Sequence, residues 1–215
     1  MADFYCDPAQ LDYLIRNALP ELIKSHGYGI VRKLVVWDAG CSHGEETYTL
    51  AMVLTEFANQ FPGLCFDFVI LATDSGPDEL QLAERAVYDE ESIHPVPMEL
   101  RRKYFLRSKQ KERRLIRMVP ELRALVKFRR IDMTGRELKF RETIDLIFCR
   151  QLLWRVDREV RANLLRQFSR HLSPGGYLFL GKAEAPGDLV VPLLPVAPAV
   201  YRKPGEGSGF GDSRV

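Results

Sequence analysis

Three times in this chain an apolar run closes on an aspartate at a turn. Leu34 to Trp37 ends in Asp38, Phe66 to Ala72 ends in Thr73-Asp74, and Leu125 to Ile131, in which apolar and basic residues alternate, ends at Asp132. The first run is followed by Ala39-Gly40-Cys41-Ser42-His43-Gly44 and a helical pattern from Glu45 to about Ala58. After the second, Ser75 is suited to cap and Pro77 to open a helix reaching Val87. Ile144 to Cys149 reads as a strand buried on both faces. From Asp157 to Leu172 the residues Val160, Leu164, Leu165, Phe168 and Leu172 recur at helical spacing, and Ser173-Pro174-Gly175-Gly176 should stop that helix before a strand over Tyr177 to Leu180. Strands alternating with helices predict a mostly parallel α/β sheet covered on both faces.

The 40-odd residues from Tyr88 to Lys127 break this rhythm and read as an insertion. Leu115, Arg117 and Val119 alternate before Pro120, which points to a hairpin or short sheet appended to the main one. One domain over residues 1–204, carrying a basic subdomain at about 88–127, and a glycine-rich disordered tail over 205–215 are therefore expected. The insertion overlaps a strong charge asymmetry. Between Arg101 and Arg141 stand 16 Lys and Arg against four acids, whereas the rest of the chain carries 15 bases and 25 acids. Such a field draws an acidic partner, a nucleic acid or an acidic protein face, unless it is only a solvated surface.

Other classes fall away. Cysteines 6, 41, 65 and 149 have neither metal-ligand nor secreted-framework spacing and are expected as free thiols. The longest charge-free stretch, Leu189 to Tyr201, contains three prolines and is too short for a membrane span of about 20 residues. Asp3 and Asp7 stand where a secretory leader would be basic, so a cytoplasmic location is expected.

In an open parallel sheet, ligands bind beyond the carboxyl ends of the strands. There Gly40 and Gly44 let the backbone approach a ligand, while Asp38, Glu45 and Glu46 repel a pyrophosphate and favour a positively charged ligand bearing an ammonium. Neither a phosphate loop nor a complete dinucleotide fingerprint is present. Asp74 is placed to accept from ribose hydroxyls and Asp132 from an exocyclic amine. Together these groups describe a site for S-adenosylmethionine. His43 and Cys149 invite a base or nucleophile reading, but a loop histidine and a strand-end cysteine are more often structural.

Read in order, these segments resemble the CheR family of chemotaxis receptor methyltransferases. Ala39-Gly40-Cys41-Ser42-His43-Gly44-Glu45-Glu46-Thr47-Tyr48 is similar to the family's AGCSTGEEPY, and Leu71-Ala72-Thr73-Asp74 to its ATDID. Ile147-Phe148-Cys149-Arg150 matches its IFCRN, and Leu172 to Gly181 its LxPGGYLFLG, so the likeness runs from about Phe4 to Tyr201. The resemblance implies a Rossmann-like class I S-adenosylmethionine-dependent methyltransferase fold with a small inserted β-subdomain. It also implies methyl transfer to glutamate carboxylates on acidic chemoreceptor helices, with no membrane insertion and a protein partner in place of nucleic acid. Cofactor contacts are implied at Glu46, Asp74, Asp132 with Met133, and Gln151 with Leu152, beside Asp38, Gly40 and Gly44 of the loop.

The departures lie toward the acceptor. The family's helical N-terminal domain has no counterpart in this sequence, and its TxFFR appears as Ala2-Asp3-Phe4-Tyr5-Cys6. Its asparagine after the fourth strand is Gln151, its IYF is Trp154-Arg155-Val156, and its HSE is Lys182-Ala183-Glu184. Arg155 is expected to supply, from the opposite wall, the cation lost at Cys6, and so to serve catalysis. The alternative is a degenerate member of the family, a regulatory or scaffold module that binds cofactor or partner without turnover.

Overall fold

The computed structural model describes residues 3–110, 113–135, 137, 138, 140, 142–184 and 192–205. Seven strands form the main sheet in the order β6-β2-β1-β7-β8-β10-β9. Strands β1 (Leu34–Ala39), β2 (Phe68–Asp74), β6 (Val126–Arg130), β7 (Ile144–Cys149) and β8 (Leu172–Leu180) are parallel, and β9 (Leu194–Ala197) and β10 (Val200–Arg202) close one edge antiparallel. Period-two alternation divides the central strands between two cores. Val36, Ile70, Leu146 and Phe179 face one apolar cluster, whereas Trp37, Leu71, Ile147 and Leu178 face the other. The first face is covered by α1 (Pro8–Tyr13), α2 (Leu19–His26) and α3 (Glu45–Gln60), and Leu164, Leu165 and Phe168 of α7 (Arg158–His171) cover the second.

Opposite the carboxyl ends, Asp145 is fully buried and ties three strands. It accepts two hydrogen bonds from the Arg32 guanidinium, one from the Val35 amide beside it in the neighbouring strand, and one from the Ser173 hydroxyl. A buried carboxylate is tolerable because each oxygen is paired.

The insertion is a three-stranded antiparallel sheet, β3 (Val87–Asp89), β5 (Leu115–Met118) and β4 (Phe105–Arg107), with α5 (Met98–Tyr104) between its first two members in sequence. Phe4 joins it to the main body, buried edge-on against Tyr88 at 4.9 Å and Phe105 at 5.5 Å. The expected boundary at Lys127 runs two residues into β6, which pairs with β2 and belongs to the main sheet. Four bases of the run pair with acids outside it: Lys103 with Glu56, Arg107 with Glu90, Arg114 with Glu91 and Arg129 with Glu142. The field of that segment is therefore weaker than its composition implies.

Two local expectations are corrected. Ser75 does not cap α4 (Pro77–Arg85): Gly76 occupies the cap, and the Asp74 carboxylate two residues earlier accepts its amide. Ser173 to Gly176 do not separate helix from strand, since β8 begins at Leu172 directly after α7 and absorbs them as a register irregularity against β7. The expected tail lies outside the described residues except for Gly205.

Candidate functional site

A cavity of about 300 Å³ opens where β1, β2 and β7 end, and it is lined from three loops. The first, after β1, turns back on itself at Gly40 (φ +83°), with the Gly40 and Cys41 amides both donating to the Thr73 carbonyl of the adjacent strand. Gly44 (φ +91°) then caps α3, and a methyl group there would come within 3.1 Å of the Ala83 side chain. Both positions need the left-handed backbone that glycine adopts without steric cost. Gly40 lines the cavity, whereas Gly44, packed against Ala83 and Tyr88, does not.

The second loop brings Asp74. Its Oδ2 accepts the Ser42 amide at 2.9 Å and its Oδ1 the Gly76 amide at 3.0 Å, so one carboxylate joins the two loops. An ionised carboxylate offers about four acceptor sites, and two remain for hydroxyls in the cavity. Asp38 lies deeper. It is buried, accepts the Thr47 hydroxyl and lines no part of the cavity; burial first, and then Glu46, push its carboxyl well above the usual range.

From the third loop comes Arg150, buried at the end of β7. Its Nε donates to Glu46 Oε1 at 2.6 Å and its Nη1 to the Cys6 carbonyl at 2.7 Å, while its Nη2 has no hydrogen-bond partner among the described residues. Burial raises the Glu46 carboxyl and Arg150 pulls it back, leaving it above its ordinary value. Both residues line the cavity. Gln151 and Leu152 follow, with Gln151 at φ +68°, and the backbone here is gathered by a buried carboxylate: Glu184 accepts the amides of Gln151, Leu153, Trp154 and Gly181 at 2.9, 2.7, 3.3 and 3.1 Å. Arg155 lies at the mouth, exposed, with its guanidinium 5.1 Å over the Trp154 ring.

The profile of the CheR methyltransferase S-adenosylmethionine-binding domain matches residues 1–189. The chain belongs to this family. The chemotaxis protein methyltransferase of Borreliella burgdorferi is 32% identical over 181 residues, covering 84% of this chain and 62% of that one. Chemotaxis protein methyltransferase 1 of Pseudomonas aeruginosa is 32% identical over 187 residues, 86% of this chain and 66% of that one. The chain thus spans just under two thirds of these relatives' lengths. Among solved structures, the DszA carbon methyltransferase aligns with a TM-score of 0.46 at 15% identity, over 80% of this chain and 35% of that one.

For a member of the CheR family, the expected cofactor residues divide in space. Gly40, Glu46, Asp74, Gln151 and Leu152 converge on the cavity, whereas Asp38, bonded to Thr47, and Gly44, packed against Ala83, are not part of its lining. Asp132 and Met133 do not line it. The Asp132 carboxylate is exposed and held by the Thr134 amide and hydroxyl, which lower its pKa, and Met133 is buried in the second apolar cluster. Neither Arg150, which lines the cavity, nor Glu184, which lies outside the lining and gathers the amides of the third loop, stands among the site residues expected from sequence. The signal for Arg150 is a charge directly after the apolar run Leu146 to Cys149, and that for Glu184 the retained last letter of Lys182-Ala183-Glu184. Burial pushes the Cys41 and Cys149 thiols up, which removes a thiolate nucleophile from the site. No cluster of metal-binding side chains occurs among the described residues, and no helix there is long and apolar enough to cross a membrane.

Proposed function

We propose that this domain transfers a methyl group from S-adenosylmethionine to glutamate carboxylates of chemoreceptor-type proteins. The observation that carries the reading is buried Arg150, whose side chain lines the cavity and whose Nη2 has no hydrogen-bond partner among the described residues, beside Arg155 and the acids Glu46, Asp74 and Glu79. The donor set fits the cofactor: acids suit its hydroxyls and positive charges, and a free guanidinium nitrogen suits a carboxylate.

The cofactor supplies an electrophilic methyl group on a sulfonium. A glutamate side chain, with pKa about 4.3, meets it already ionised, so the protein need not remove a proton. What remains for these residues is alignment and exclusion of water. Asp74 and the Gly40 turn fix one end of the cavity, Glu46 holds Arg150 by its Nε, and Arg155 stands at the mouth. The names of the relatives support a chemoreceptor substrate, and the exposed bases of the insertion suit an acidic protein surface.

Replacing Asp74 with Ala is expected to weaken S-adenosylhomocysteine binding by about 1.5 to 3 kcal/mol, tenfold or more, as measured by calorimetry. Unchanged affinity in a folded variant would restrict Asp74 to joining its loops. Turnover is read from radiolabelled methyl incorporation into receptor fragments. Wild type should label slowly, Arg155→Ala less, and Cys6→Arg more, because misplacing an acceptor by about 1 Å costs on the order of a hundredfold in rate. If all three bind cofactor and none labels a receptor, the domain is the non-catalytic regulatory module.

A further inference from the structure

The loop between β1 and α3 serves two cavities. Gly40 to Ser42 line the one described above, and His43 and Glu45 line another of about 220 Å³, closed by Leu82 of α4 and by Val87, Asp89 and Leu115 of the small sheet. The Glu45 side chain is only 8% exposed, its Oε2 has no hydrogen-bond partner among the described residues, and its Oε1 is 3.9 Å from His43 Nδ1. A buried carboxylate oxygen left unbonded is costly, and among the described residues neither lysine nor arginine lines the space to offset it. Leu82, Val87 and Leu115 give the walls an aliphatic stretch. Leu82 and Val87 are 45% and 41% exposed, large for side chains at the rim of a cavity.

We infer that this cavity receives a basic side chain, arginine or lysine, from a docked protein partner. Glu45 and Asp89 would meet the cationic tip, while Leu82, Val87 and Leu115 pack along its methylene stem, the way such stems cover apolar surface elsewhere. A protein fits better than a free cation because both walls and floor are used, and because β3 is an outer strand of its sheet. The cavity also touches the loop that shapes the first one. Tyr88, which lines it, donates its hydroxyl hydrogen bond to the His43 carbonyl at 2.8 Å. This inference does not depend on whether the domain turns over.

The test is an amide-resolved NMR titration of the labelled protein. The probes are the pentapeptide acetyl-Ala-Ala-Arg-Ala-Ala-amide, its lysine counterpart, and its citrulline counterpart, which keeps arginine's shape without the charge. The charged peptides should shift the amides of His43, Glu45 and Asp89 saturably, and citrulline should not. Glu45→Gln should reduce the affinity at least tenfold, and Asp89→Asn, an exposed site that leaves folding intact, severalfold. Equal shifts from citrulline would overturn the proposal, as would shifts confined to other residues, no saturable shift at all, or wild-type affinity in both variants.

Discussion

Arg150→Ala should destabilise the fold by about 3 to 5 kcal/mol, since it strands the Glu46 carboxylate in a buried place without its cation. The loss is more than one ion pair. The Cys6 carbonyl also gives up its donor, so the segment carrying Phe4 loosens where it crosses the site. The deficit has a predictable pH dependence. The folded-state pKa of Glu46 already stands above its ordinary value because of burial, and removing Arg150 raises it further. The native state of the variant then binds more protons than the unfolded chain between the ordinary carboxylate value and that raised value, so stability falls as pH rises through this window. Urea unfolding at neutral and acidic pH should therefore show the larger deficit at neutral pH. Replacing both partners with apolar residues, Glu46→Leu with Arg150→Met, should recover most of the stability but none of the cofactor affinity. A variant as stable as wild type at neutral pH would show that the pair is not buried as described.

The sheet was legible because its evidence is redundant. Alternation in Leu34 to Ala39 and in Phe68 to Asp74 sorts residues onto two faces, and each strand is followed by a turn and a helix with its own period. Asp74 was legible for the same reason, being fixed in register by the strand it ends. Asp132 follows the same rule of position, yet it ends the outermost strand of the parallel set, where its nearest donors belong to its own turn at Thr134. A strand-end acid becomes a site residue only if the neighbouring loop folds over it. Gln151 looked like a chemical departure from the family's asparagine, but its φ of +68° makes it a backbone question. Asparagine tolerates the left-handed region better than glutamine, so the change bears on loop strain as much as on contacts. The basic run misled in another way: composition cannot show that Glu56, Glu90, Glu91 and Glu142 pair with it from outside.

Glu184 carries the other large expectation. Its two oxygens accept four backbone amides from two loops, and no other described acceptor takes those of Gln151, Leu153 and Trp154. Glu184→Ala leaves these donors buried or half-buried without their acceptor, at a cost of about 3 kcal/mol. For a chain of this length that lowers the melting temperature by roughly 6 to 12 °C. Because Gln151 and Leu152 line the cavity, S-adenosylhomocysteine affinity should fall at least tenfold in the same variant. Glu184→Gln separates charge from geometry. Its single carbonyl oxygen can still accept, but its NH2 group would face amide donors, so affinity should drop nearly as far while less stability is lost. Gly181 reports on the same knot, since a methyl group there would lie 2.6 Å from Glu184 Oε2, and Gly181→Ala should push the carboxylate off its amides. If Glu184→Ala melts like wild type and binds cofactor as well, the loop after β7 is held by its own turn, and the carboxylate is a passenger.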